Sequence, residues 1–282
     1  MSRTVAPDLT RRLVAEFLGT ALLVTVVVGS GIAAQRLSAG DVGLQLLENS
    51  TATFLGLTVL ILMLGPVSGA HFNPVVSAAD WLLGRRNGTG LPAREVLAYT
   101  GAQVAGAIAG AELANLMYDV PVTQLSTTDR TGTGLLLGEV VATTGLIVLI
   151  FALVRTGRGI LAAPAVGAYI GAAYWFTSST SFANPAVTVG RVFTDTFAGI
   201  APASVPGFVA AQIVGCTVAV VLVPYLFPGA GEYADDVVVP HAIDAAQKPE
   251  ANRGEPVRAA EARTTHLTDH IDEADHAGGT AP

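Results

Sequence analysis

The chain has 282 residues, 51% of them hydrophobic and only 13% charged, with a formal net charge of −7. A soluble domain rarely reaches that balance, so the composition reads as a membrane protein with the lipid bilayer as its surroundings. Much of the acidic charge lies after Gly229, so the net charge gives no reason to expect a nucleic-acid partner, and the single cysteine, Cys216, rules out a disulfide framework and a thiolate metal site.

Arg3, Arg11 and Arg12 precede a first apolar stretch, as in a secretory signal, but no cleavage site follows and further apolar stretches do. It reads as a transmembrane helix that stays. Crossing a hydrocarbon core of about 30 Å takes roughly 20 apolar residues as helix. Six stretches qualify, at about 12–34, 48–66, 94–117, 134–154, 160–179 and 206–227. Two more, 74–83 and 185–194, are about ten residues long and reach only about 15 Å, half the bilayer. Irregular backbone at that depth is tolerated only inside protein or along a wet cavity, so both half-spans belong to the interior.

The chain repeats itself. AEFLGTALLV (15–24) is echoed by GEVVATTGLIV (138–148), HFNPVVS (71–77) by FANPAVT (182–188), and GAQVAGAIAG (101–110) by AAQIVGCTVA (210–219). Glu16 and Glu139 stand 123 apart, Asn73 and Asn184 111, Gln103 and Gln212 109, with the differences falling in loops. The repeats run over about 10–118 and 132–228. Each holds three full spans, an odd number, so the second is inserted upside down relative to the first. Basic residues at 3, 11, 12, 85, 86, 94, 155 and 158 gather on one side of this map and those at 36, 130 and 191 on the other. The positive-inside rule therefore puts both termini in the cytoplasm.

Proline is favoured at the first position of a helix and asparagine just before it, so Asn73-Pro74 and Asn184-Pro185 are two helix starts. In inverted halves these starts face each other near the bilayer midplane, each with free backbone N–H groups and partial positive charge. The asparagine amides add donors, which suits neutral hydroxylated solutes, repels cations and keeps a water chain from relaying protons. One Asn-Pro could merely begin a buried helix. Two of them, each heading a half-span at equivalent places of a repeat, argue for a site.

These boxes, SGAHFNPV and FANPAV, with Glu16, Glu139, Gln103 and Gln212, resemble the aquaporins of the major intrinsic protein family over about 10–228. The resemblance implies an all-α membrane protein with six transmembrane helices and two re-entrant half-helices, assembled as a homotetramer with one pore per subunit and needing no cofactor. It also implies that Asn73, Pro74, Val75, Asn184, Pro185, Ala186 and Val187 line the pore.

Two departures bear on selectivity. The first box reads Asn73-Pro74-Val75 rather than Asn-Pro-Ala, and Val187 stands where family members that conduct water or glycerol usually carry arginine. Losing that guanidinium removes a fixed charge and up to five donors, which predicts a wider constriction with an apolar wall. Arg191 lies one turn further along and is expected to pair with a carboxylate such as Asp195. The other filter positions fall near Phe54, Tyr174 and Ser181, and His71 is expected to face the cytoplasmic mouth or to pack. The stretch YWFTSSTSFANPAVTVGRVFTDTFAGI resembles the bacterial aquaglyceroporins of arsenic-resistance operons. That resemblance implies trivalent metalloid hydroxides, such as arsenite and its methylated forms, as cargo, and a bacterial inner membrane as location.

Glu16 and Glu139 sit inside spans, where an ionisable group calls for a function. A proton relay is one reading, but repeat symmetry favours a structural one, accepting hydrogen bonds from the loop before each half-helix, and Asp80 is read the same way. The tail from 230 is poor in large apolar residues and is expected to be disordered, with His266 and His270 solvated rather than metal-bound. An ordinary water or glycerol channel and a coupled secondary transporter stay open as alternatives. An enzyme is not expected, because no span holds a histidine and no nucleophile–base pair is visible.

Overall fold

The computed structural model describes residues 7–236, and among them every regular element is helical. Six helices are long: α1 Leu9–Leu37, α2 Val42–Ser68, α4 Ala93–Met117, α5 Thr133–Arg155, α6 Ala162–Phe176 and α8 Val205–Leu226. Two are short: α3 Pro74–Gly84 and α7 Pro185–Gly190, the latter continued by a 3-10 turn, Arg191–Phe193. The long helices match the six expected spans, several running a few residues further, and the short ones match the half-spans.

Local chemistry explains the boundaries. Asp8 and Asp41 cap α1 and α2 by accepting from Arg11 N and Leu44 N, each at 2.9 Å. Gly69 ends α2 in the left-handed conformation, φ 85°, which glycine adopts without strain. Five of the long helices are apolar enough to cross a membrane on composition alone. The exception is α4, whose buried face holds Gln103 and Asn115 among small residues.

Small residues let the helices approach closely, the usual device inside a bilayer. A methyl group added at Gly106 or Gly110 of α4 would strike the backbone of Phe17 or Ala21 in α1. The second repeat builds the same junction, with Gly215 of α8 against Val140 and Thr143 of α5. Gly190 at the end of α7 lies against Ala107, docking the second half-helix on α4 of the first repeat.

The described chain continues past the expected end of the channel domain at 229. Ala230–Asp236 forms a 3-10 segment with Ala230 and Ala234 buried. Thr89 Oγ1 donates to Gly231 O at 2.6 Å, and Arg155 donates to Pro228 O at 2.7 Å while lying 5.6 Å from the Tyr233 ring. The start of the tail is therefore ordered, because its alanines fit against α3 and α5. His266 and His270 lie outside the described residues.

Candidate functional site

The site is assembled from one motif used twice. In the first repeat, Glu16 accepts from His71 N at 3.0 Å, Phe72 N at 2.7 Å, Gln103 Nε2 at 2.7 Å and Ser68 Oγ at 2.6 Å. In the second, Glu139 accepts from Phe182 N at 2.9 Å, Ala183 N at 2.8 Å and Gln212 Nε2 at 2.6 Å. Each glutamine also reaches into its own half-helix, Gln103 to Ser77 Oγ and Gln212 to Thr188 Oγ1. Both carboxylates are wholly buried. Burying a charge costs several kcal/mol unless donors surround it, and here the donors are the backbone of the loop to be positioned.

Those loops have a backbone few other sequences would tolerate. Ala70 and Phe72 have φ 49° and 48°, and their repeat counterparts Ser181 and Ala183 have 51° and 47°. Non-glycine residues in that region cost about 1–3 kcal/mol each and persist only where the surroundings fix them. The carboxylate contacts provide that constraint. Asp80 does comparable work nearby, accepting from Leu91 N at 2.7 Å.

The two half-helices meet at their asparagines. Asn73 Oδ1 accepts from Val75 N, and Asn184 Oδ1 from Ala186 N and Val187 N, so each caps its own helix. The amide nitrogens cross over: Asn73 Nδ2 donates to Ala183 O and Asn184 Nδ2 to Phe72 O, both at 2.7 Å. Each amide keeps one further N–H.

Asn73 and Asn184 both border a narrow cavity of about 60 Å³. Its wall comes from residues spaced by four on α1, α2, α5 and α6: Leu23 and Val27, Leu57 and Ile61, Leu146 and Ile150, Val166 and Ile170. Such spacing keeps one helix face on the lumen. Polar groups gather beyond Asn184, where Thr53 Oγ1 lies 3.1 Å from Tyr174 Oη, and Ser181, Val187 and Arg191 complete the wall. Ser181 Oγ is buried and has no hydrogen-bond partner among the described residues. His71 also borders the cavity, its Nδ1 3.0 Å from Ser77 Oγ and its ring edge-on to Tyr99.

Several residues expected on the wall are elsewhere. Phe54 is turned away, packing on Gly167 and Gly171 of α6, and Thr53 takes the lumen position. One residue is 100° of helix, so a register error of one changes the face. Pro74, Val75, Pro185 and Ala186 are also absent from the wall. The residues on the asparagine face are three further along, Val76 and Val187, a matched pair 111 apart. Val75 is buried behind them, its carbonyl 3.5 Å from Cys216 Sγ.

Arg191 does not pair with Asp195. Its Nε donates to Ala198 O, and its guanidinium carbon lies 3.4 Å from the Phe182 ring centroid. Asp195 is taken by Thr127, through N at 2.8 Å and Oγ1 at 2.9 Å. Sequence reasoning therefore missed Thr53, Val76 and Arg191 as wall residues. The i, i+4 relation of Val187 to Arg191 was the available signal for the last.

An inverted repeat of three spans and a half-span, folded around a cavity where two half-helices meet, defines a membrane channel. A family model for the major intrinsic proteins matches residues 3–183. The aquaglyceroporin AqpS of Rhizobium meliloti is 54% identical over 220 residues, covering 78% of this chain and 91% of that protein. The glycerol uptake facilitator protein of Pseudomonas aeruginosa is 30% identical over 289 residues, 90% of this chain and 98% of its own. The X-ray structure of the aquaglyceroporin from Plasmodium falciparum shares the fold, with a TM-score of 0.56 at 23% identity over 81% of this chain and 99% of that one. The chain belongs to the major intrinsic protein family. It is a multi-pass membrane protein and not an enzyme.

Proposed function

We propose that this protein is a passive channel for small neutral solutes, both glycerol-type polyols and trivalent metalloid hydroxides such as arsenite and its methylated forms. The observation that carries this reading is Val187 on the cavity wall at the third position after Asn184. A short apolar side chain there takes less of the cross-section than an arginine at the same position would. The wall is aliphatic along much of its length, with amide donors at Asn73 and Asn184 and further polar groups at Thr53, Tyr174 and Arg191. A solute with several hydroxyls accepts from those amides while its apolar parts slide along the wall, and a methylated metalloid hydroxide has both kinds of surface. Ions lose too much hydration to follow. The names of two similar proteins, an aquaglyceroporin and a glycerol uptake facilitator, agree with the solute class.

The same reading assigns a homotetramer with one pore per subunit, a bacterial inner-membrane location and cytoplasmic termini. Exposed leucines and valines along the outer faces of α1, α2 and α8 suit lipid or neighbouring subunits. The mouth beyond Tyr174 and Arg191 then opens outward.

The test is stopped-flow light scattering on proteoliposomes for water and glycerol, beside arsenite uptake, for wild type and Val187→Arg. Wild type is expected to pass glycerol and arsenite, and the variant to lose arsenite while keeping water. A wild type that passes only water, with little change on substitution, makes it a water channel. Saturating flux abolished by uncoupler makes it a coupled transporter.

A further inference from the structure

We propose that Arg191 supplies the guanidinium of this channel's constriction, in place of the arginine absent at Val187, and selects among hydroxylated neutral solutes there. This assignment rests on the channel reading. Val187 and Arg191 are four residues apart, one turn of α7 and its 3-10 extension, and both border the cavity. Helical side chains lean toward the N-terminus of their helix, so the longer arginine reaches back toward the level of Val187. Its contact with Phe182, which precedes the helix, is where such a reach ends.

The guanidinium is held without being consumed. Ala198 O takes Nε and the Phe182 ring supports the plane, a cation–π arrangement. Among the described residues Nε is the only nitrogen of this side chain with a protein acceptor, and no carboxylate forms an ion pair with it. The terminal nitrogens keep their N–H donors for the lumen. The unpartnered hydroxyl of Ser181 and the Thr53–Tyr174 pair border the same cavity. Arg191 thus offers donors beside the donor–acceptor hydroxyls of Thr53 and Tyr174, which fits a neutral polyol and repels a cation. Arg130 also lies near the Phe182 ring, at 5.2 Å, but it donates to Gly199 O and Phe197 O and does not border the cavity.

The experiment compares wild type, Arg191→Met, the exchange Val187→Arg/Arg191→Val, and Arg130→Gln in proteoliposomes. Water flux, glycerol flux and methylammonium leak are read for each. Arg191→Met is expected to change the glycerol-to-water ratio by roughly tenfold and to admit methylammonium, since charge-assisted hydrogen bonds are the strong ones. The exchange restores cation exclusion, and Arg130→Gln keeps the wild-type ratio. An Arg191→Met protein with wild-type water flux, wild-type ratio and no leak overturns the assignment. Should that variant not reconstitute, Val187→Cys is read instead, with Arg191 intact. Faster modification by an anionic than by a cationic methanethiosulfonate, by about tenfold, supports the assignment, and equal rates overturn it. A wild type passing neither water nor glycerol overturns the channel reading itself, and this assignment with it.

Discussion

The hydroxyl of Thr53 and the phenol of Tyr174 lie 3.1 Å apart on the cavity wall, tying α2 to α6, whereas Phe54, the next residue along, packs between those helices. Neighbours in sequence thus do different work. Thr53→Val is expected to change the glycerol-to-water ratio with a stability loss of about 1 kcal/mol, the usual worth of one hydrogen bond. Phe54→Ala is expected to leave that ratio alone and to lower the unfolding midpoint in detergent, at a cost of about 3 kcal/mol. Flux and thermal unfolding on both variants check this, and a changed ratio in Phe54→Ala would move it back to the wall.

Glu139 holds three donors, two from the loop before α7 and one from Gln212. Glu139→Ala leaves the two backbone donors without a partner, at about 1–3 kcal/mol apiece, and Gln212 with Thr188 alone, and is expected to prevent recovery of monodisperse protein. Glu139→Gln keeps the size and part of the acceptor capacity and should survive at reduced stability. If that variant keeps its solute flux whether or not a pH gradient is imposed, the proton-relay reading of this carboxylate is gone.

Gly190→Ala is expected to be costly out of proportion to one methyl group. The added carbon meets the backbone of Ala107, which cannot move without shifting α4, and overpacking of this kind costs about 1–3 kcal/mol. Because Arg191 follows directly, the same change should also disturb solute selectivity. Thermal unfolding and the glycerol-to-water ratio would shift together, and a shift in stability alone would separate α7 docking from the placement of Arg191.

Asn184→Ala removes a cap for two backbone N–H groups and the partner of Phe72 O. The two losses together come to about 2–4 kcal/mol. Asn73→Ala is expected to cost a similar amount, since it caps α3 and serves Ala183 O in the same way. A large inequality between the two, measured by unfolding in one detergent, would show that the repeats are not energetically equivalent.

What the sequence made legible was whatever it stated twice. Glutamate, Asn-Pro and glutamine recur in order, and the structure joins each set into one hydrogen-bonded unit. Span lengths were legible because bilayer thickness fixes them. Rotation about a helix axis was not, since apolar residues occur on every face of α2 and a one-residue error hides Thr53 behind Phe54. Arg191 was misread because its acceptor is a main-chain carbonyl, at Ala198, which carries no signature in the sequence. The ordered start of the tail was missed because alanines such as Ala230 and Ala234 are too small to announce a packed face.

The crossed asparagine bonds also bear on how the molecule is built. During synthesis the first repeat reaches the membrane before the second exists, so Asn73 has no Ala183 carbonyl to meet and Phe72 O has no donor. The first half can insert its helices and hold the loop against Glu16, but it lacks the crossed partners that tie this loop to the other half-helix. Only when residues 183 and 184 arrive do the two loops lock, and they lock together. An unfinished chain therefore lacks the part of the wall that α5, α6 and the second half-helix supply, and the passage is complete only with the second half.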